Sequence, residues 1–356
     1  MSFEEQLKEL KTKIDKRLEL FFSMVKARDD FISFSYKNIK DYFSSGGKRL
    51  RPAALIMAYN GFGGDEEEIY DAALSVEFLH NSTLMHDDIM DEDESRRNKD
   101  SIHKVMRDYF LKSSKEINYN GPLFNKASSR FAVSNAICNG NLIYSLGELF
   151  LLNSHFDTDL ANRALKVYSN AYRIVNQGQL MDIFLELRDA SERGYLGMIE
   201  QKTGNLFKAC TEIGAILAGA NNEQIEILAK YAINIAAAFQ LQDDIMDISS
   251  EMRKGHELGS DLKKGKKTLL VIKALEKASK NQRGILMSTI GNESATEDEI
   301  KKAIEIIKSS GAVDYVMMLA RKKIAEAKGH LRKTSLNDKS MEFFNGFADF
   351  MMERRV

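Results

Sequence analysis

The sequence is poor in the residues that break helices, cross-link chains or anchor them in lipid. It has two prolines, Pro52 and Pro122, in 356 residues, and no tryptophan. Proline interrupts a helix because it lacks an N–H and clashes with the preceding turn, so its scarcity leaves long helices open. Two cysteines, Cys138 and Cys210, are too few for a disulfide framework and fit a reducing compartment. Both lie in apolar stretches and read as buried thiols. No apolar run approaches the ~20 residues needed to cross a bilayer. The start, Met1-Ser2-Phe3-Glu4-Glu5, has neither the basic region nor the apolar core of a signal peptide. A cytoplasmic protein without stable membrane insertion is expected. The net charge of −1 gives no support to a nucleic-acid or membrane-surface role.

What the chain does have is helical periodicity. Its 44% hydrophobic content is enough for a sizeable core. Phe3, Leu7, Leu10, Ile14, Leu18 and Phe21 line one face of a first helix. Residues 130–152 are apolar on most sides and predict a helix buried in a core or an interface. A long Ala-rich helix is predicted over 225–246, and two more over 297–309 and 312–332, separated by Ser310-Gly311. No run alternates as a strand does. The expectation is an all-α fold of roughly ten or more helices. No linker divides the chain, so one domain over 1–356 is expected. Residues 107–129, rich in Ser, Asn and Gly with Pro122, read as a loop and a probable insertion.

One pentapeptide occurs twice. His86-Asp87-Asp88-Ile89-Met90-Asp91 and Gln242-Asp243-Asp244-Ile245-Met246-Asp247 share Asp-Asp-Ile-Met-Asp. On a helix, i and i+4 lie on one face, so Asp87 stacks over Asp91 and Asp243 over Asp247, with Asp88 and Asp244 at the edge. Crowded carboxylates repel unless a cation neutralises them. An all-oxygen donor set suits Mg²⁺, which is usually held by carboxylates together with substrate phosphates. A lone motif of this kind is ordinarily a solvated acidic face. These two sit beside Leu84-Met85 and Phe239-Gln240-Leu241, in apolar surroundings.

Other elements point to diphosphate. Gly46-Gly47-Lys48-Arg49-Leu50-Arg51-Pro52 is a turn with three cations opening a helix, where backbone N–H groups favour phosphate. Arg96-Arg97 follow the first motif closely. Lys202-Thr203 sit mid-chain, and residues 259–268 form a basic loop with Lys263, Lys264, Lys266 and Lys267.

Taken together, these stretches resemble the trans-isoprenyl diphosphate synthases, or polyprenyl synthetases, over about residues 43–275. The matching segments are 46–52, 79–97, 177–182, 195–207, 239–247 and 259–268. The first motif has no extra residues between its aspartates, as in archaeal and eukaryotic members; archaeal geranylgeranyl diphosphate synthases are the most similar. The resemblance implies a single-domain isoprenoid synthase fold around a central cavity, working as a homodimer. It implies a Mg²⁺-dependent prenyltransferase, with three ions held by Asp87, Asp91 and Asp243 and with Asp88, Asp244 and Asp247 assisting. Arg96, Lys202 and Lys266 would hold an allylic diphosphate. Gly47, Lys48, Arg51, His80 and Arg97 would hold isopentenyl diphosphate. Thr203 and Gln240 would stabilise the allylic carbocation by their dipoles, and the departing pyrophosphate would take up the final proton.

Three features depart from the family pattern. Gly255-His256 stands where Gly-Lys is usual, which predicts a loss of activity above about pH 7. Gly140-Asn141 replaces Gly-Asp, and the 107–129 segment is long. The small Ser82 and Thr83 upstream of the first motif leave room for a growing chain, with Leu79, Phe78 or Tyr144 as candidate floors. The implied product is geranylgeranyl diphosphate; the alternatives are a chain of twenty-five carbons or more, or a non-catalytic regulatory subunit. A terpene cyclase is disfavoured, since it needs neither the 46–52 turn nor a second motif. The C-terminal Arg354-Arg355 resembles a basic tail that closes over the isopentenyl site in some members.

Overall fold

The computed structural model describes residues 1–64, 66–249 and 258–353. By contacts the chain divides into two compact units. One takes residues 3–56 and 65–165, the other 57–64 and 166–356. The division falls inside two helices, after Ile56 in α3 (Leu50–Gly61) and after Leu165 in α7 (Thr158–Glu186).

The first unit holds α1 (Phe3–Met24), α2 (Asp30–Phe43), α4 (Glu66–Met90), α5 (Ile102–Ser113) and α6 (Ala127–Leu152). As the pattern predicts, α1 buries Phe3, Leu7, Leu10, Ile14 and Leu18. Asp29 caps α2, its carboxylate accepting from the N–H groups of Phe31 and Ile32. Helix α4 is buried on most sides, with Ile69, Tyr70, Leu74, Val76, Phe78 and Leu79 all enclosed. Phe78 sits amid Phe21, Phe22, Phe43 and Phe150, at ring-centroid distances of 4.7 to 6.1 Å. The only strands among the described residues are β1 (Ser95–Arg96) and β2 (Lys99–Asp100), a hairpin. Its turn, Arg97-Asn98, has φ of +53° and +62°, the left-handed pair of a type I′ turn.

The second unit holds the rest of α7, α8 (Glu192–Ile199), a π-helical turn (Glu200–Gly204), α9 (Asn205–Leu217) and α10 (Asn222–Asp247). After α10 come α11 (Ser260–Lys263), α12 (Leu269–Lys277), α13 (Lys280–Thr289), α14 (Glu297–Ser309), α15 (Ala312–Leu331) and α16 (Asp338–Glu353). Helix α10 is the spine, and its buried Ala232, Ala236, Ala237 and Ala238 let neighbours approach closely. Capping boxes start α13 and α14 (Ser279 with Gln282, Thr296 with Glu299). Gly311, at φ +76°, reverses the chain between α14 and α15 where Ser310-Gly311 predicts it.

Two expectations are corrected. Within 107–129, residues 107–113 belong to α5 and 127–129 to α6. Buried Ile102 and Met106 pin the first of these, because apolar packing outweighs the polar composition of its end. Only 114–126 is irregular, closed by a bridge between Asn118 and Lys126. Cys210 is buried as expected, but Cys138 lies on the exposed side of α6. Among the described residues no helix is long and apolar enough to cross a membrane.

Candidate active site

In the first unit the last turn of α4 carries the first aspartate motif. Asp91 lies just beyond the helix, its N–H donating to the Asp87 carbonyl at 2.8 Å, so Asp87 and Asp91 share a face. Asp88 points into protein instead. It is fully buried, accepting from the Tyr42 hydroxyl at 2.8 Å and from Arg96 Nε at 2.5 Å. Burial raises the Asp88 pKa, and the Arg96 guanidinium opposes that shift. Arg96 Nη2 also lies 3.7 Å from Asp87 and 3.9 Å from Asp93.

The hairpin turn that places Arg96 also aims Arg97 at the glycine turn. Arg97 Nη1 donates to the Gly46 carbonyl at 3.1 Å. Gly47 has φ +112°, a conformation that favours glycine, and a Cβ there would stand 2.8 Å from the same nitrogen and displace the Arg97 tip. Arg51 Nη1 donates to His80 Nε2 at 3.0 Å. An arginine can only donate, so His80 is neutral with its proton on Nδ1. Burial, and then the neighbouring Arg51 and Arg97, hold the His80 pKa well below its ordinary value. Gly47, Arg51, His80 and Arg97 thus lie together, with exposed Lys48 between Gly47 and the inward-turned Arg49. His86 packs against α6 where Gly140 leaves room; a Cβ at 140 would stand 2.3 Å from its Nε2. Gly140 therefore has a packing role that does not involve Asn141.

In the second unit the last turn of α10 carries the other copy. Here too the middle aspartate turns inward. Asp244 accepts from the Tyr195 hydroxyl and from Gln240 Nε2 at 3.1 Å. Burial raises its pKa well above the carboxylate range. The 259–268 loop brings a fourth carboxylate, since the Asp261 N–H donates to Asp247 Oδ2 at 3.3 Å. Burial, and then the charge of Asp261, push Asp247 up to about 8. Burial, and then Asp243, push Asp261 up to about 6.

Beside this acidic group is a cationic one. Lys202 and Lys266 both donate to Asp182 Oδ2, at 2.7 and 3.1 Å, and Lys266 lies 2.8 Å from Glu186. Burial alone would raise the Asp182 pKa, but the two lysines more than offset it and hold it below its ordinary value. Thr203 donates to Gln240 Oε1 at 3.2 Å, so Thr203, Gln240 and Asp244 form one chain. Lys202 and Thr203 lie in the π-helical turn, a distortion that recurs at functional sites. A Cβ on Gly178 would stand 2.3 Å from the Lys202 backbone nitrogen, a clash no side-chain movement relieves. That contact accounts for the glycine of the 177–182 segment.

The sequence pattern did not assign roles to Tyr42, Tyr195, Asp182 or Asp261. Asp182, Tyr195 and Asp261 lie within stretches it singled out. The tyrosines meet their aspartates across 46 and 49 residues, a pairing no local spacing reveals. Ser82 is fully enclosed with Phe78 and Leu79, so it does not open toward a cavity; Thr83 is half-buried on the Asp87 face. His256 and Arg354-Arg355 lie outside the described residues.

Residues 33–307 match the family model for polyprenyl synthetase. The geranylgeranyl diphosphate synthase of Saccharolobus solfataricus is 33% identical over 335 residues, covering 92% of this chain and 93% of that protein. The geranylfarnesyl diphosphate synthase of Aeropyrum pernix is 34% identical over 318 residues, covering 87% and 91%. The solved geranylgeranyl pyrophosphate synthase of Corynebacterium glutamicum, in complex with isoprenyl diphosphate and magnesium, superposes with a TM-score of 0.84 at 25% identity, over 99% of both chains. The chain belongs to the polyprenyl synthetase family and is a trans-prenyltransferase.

Proposed function

We propose that the protein condenses an allylic diphosphate head-to-tail with isopentenyl diphosphate, giving an all-trans polyprenyl diphosphate of twenty carbons, geranylgeranyl diphosphate. The observation that carries this reading is the second unit's pairing of opposites. Asp243, Asp247 and Asp261 crowd together and call for a cation, while Lys202 and Lys266 converge on one carboxylate beside them. A metal–diphosphate complex satisfies both groups.

The donor set is all carboxylate, which fits Mg²⁺. Asp87, Asp91 and Asp243 would hold the ions, three in number by family pattern, with Asp247 beside them. Asp88 and Asp244 assist by anchoring each motif through their tyrosines. When bound, Mg²⁺ neutralises the diphosphate and makes it a better leaving group. Arg96, Lys202 and Lys266 bind the allylic diphosphate, the lysines exchanging Asp182 for phosphate oxygens. Gly47, Lys48, Arg51, His80 and Arg97 bind the isopentenyl diphosphate. Thr203 and Gln240 direct oxygen dipoles at the allylic cation. This reading takes 1–356 as one domain acting as a homodimer, with no nucleic-acid partner and a cytoplasmic location.

Product length rests on similarity, since relatives include both geranylgeranyl and geranylfarnesyl synthases. Thr83, rather than the enclosed Ser82, is the residue on the Asp87 face that would meet the growing chain. The test supplies labelled isopentenyl diphosphate and Mg²⁺ with five-, ten- and fifteen-carbon primers, then sizes the dephosphorylated alcohols. A twenty-carbon alcohol is expected. Longer alcohols would keep the chemistry and replace the product, whereas no incorporation with any primer would favour a regulatory subunit. Thr83→Phe should shorten the product; an unchanged length would remove Thr83 from the chain path.

A further inference from the structure

The turn at 46–51 offers three cations in sequence, yet one of them does not face outward. Arg49 is 6% exposed. Its Nε donates to Asp15 Oδ1 on α1 at 2.8 Å, and its Nη1 to Glu77 Oε1 on α4 at 2.5 Å. Its Nη2 donates to the carbonyl of Phe43, the last residue of α2, at 2.7 Å. Three helices distant in sequence thus meet on one guanidinium. The same Glu77 oxygen also accepts from Asn81 Nδ2 at 3.2 Å.

The backbone at this point is unusual. Gly46 and Gly47 have φ of +102° and +112°, and Arg49 itself has φ +53°. A long side chain occupies the left-handed region only when its surroundings hold it there. The guanidinium clamp is that restraint. Just before it lies Lys48, and two residues after it lies Arg51, 3.0 Å from His80. The path of the backbone through Arg49 therefore sets where these groups and the Gly46 carbonyl stand.

We propose that Arg49 is a positioning residue for the isopentenyl diphosphate subsite, clamping α1, α2 and α4 so that the 46–51 turn presents Gly47, Lys48 and Arg51 to the diphosphate. The inference rests on the functional reading above. It makes Arg49 distinct from its two cationic neighbours, since it touches no substrate and acts through them. Lysine is a poor substitute, because one ammonium lacks the planar fork that serves three acceptors at once. Removing the guanidinium also leaves Glu77 buried without its cation.

The test compares Arg49→Met, Arg49→Lys and Asp15→Asn with wild type in steady-state kinetics. Isopentenyl diphosphate is varied at saturating allylic primer, and then the reverse. Asp15 is partly exposed, so Asp15→Asn weakens one arm of the clamp, from an ion pair to a neutral hydrogen bond, in a protein expected to fold even where Arg49→Met does not. The expected result is a KM for isopentenyl diphosphate raised about tenfold or more in Arg49→Met, with kcat and the allylic KM within about threefold. Arg49→Lys should fall between, and Asp15→Asn should show the same selective rise at smaller size. Equal rises in both KM values, a fall in kcat alone, or a lowered Tm with unchanged kinetics would overturn the proposal and leave Arg49 a stabilising residue. If wild type incorporates isopentenyl diphosphate and every variant keeps its KM, only this inference fails. If wild type incorporates none with any primer, the functional reading fails and takes this inference with it.

Discussion

The same five residues, Asp-Asp-Ile-Met-Asp, end α4 in one unit and α10 in the other, and the two copies meet different charges. The first shares Arg96, whose guanidinium lies within 3.9 Å of Asp87, Asp88 and Asp93. The second meets another carboxylate, Asp261, while the lysines nearby are drawn to Asp182. Both copies anchor the middle aspartate on a buried tyrosine, Tyr42 or Tyr195. Identical sequence thus sets side-chain spacing, but the packed neighbours set anchoring and protonation. The first copy has an arginine counter-charge against its middle aspartate; the second has a further carboxylate beside it.

The strongest way to break this comparison is to remove a metal-facing carboxylate. Asp87→Ala and Asp243→Ala should each lower kcat by at least roughly two orders of magnitude, in line with other electrostatic transition-state contacts. Near-normal turnover in either would sink the metal assignment of that copy.

A second test strips the anchors. Tyr42→Phe and Tyr195→Phe each leave a buried carboxylate short of a donor, at a cost of about 1–3 kcal/mol. The loss should be larger for Tyr195→Phe, because Asp244 then keeps the neutral Gln240 amide, whereas Asp88 keeps the charged Arg96 guanidinium. Urea midpoints measure the difference, and equal losses would mean that Arg96 does not compensate.

The last test varies pH. Asp247 and Asp261 are pushed up to about 8 and about 6, so the folded chain keeps protons there that the unfolded chain releases near pH 4. Stability from these groups is full below roughly pH 4 and is lost as pH rises toward 8. In the presence of a chelator, Tm should therefore fall between about pH 5 and pH 8. Saturating Mg²⁺, or Asp261→Asn, should flatten the slope. A flat profile in chelator would show that these carboxylates are not crowded.

Much of the fold is legible in the chain because helix formation is largely local. The α1 stripe, the α14 span and the Gly311 reversal all follow from spacing and residue type. Residues 107–113 misled, because Ser and Asn downstream suggested a loop while Ile102 and Met106 packed the helix. Cys138 misled for a related reason: apolar neighbours along a helix do not say which face is covered. Ser82 looked open by size alone, and only packing shows that it is enclosed.

By itself the sequence determined which residues share a helical face: two aspartate pairs one turn apart, glycines where the backbone must turn, and cations close behind. That information is local, carried by the 3.6-residue repeat and by the side chain glycine lacks. Tertiary structure decided which charges meet. It drew Asp88 and Asp244 onto tyrosines, Lys202 and Lys266 onto Asp182, and Arg49 onto Asp15 and Glu77. Those pairings join residues 20 to 84 positions apart, beyond the reach of any local pattern, and burial gives them their strength.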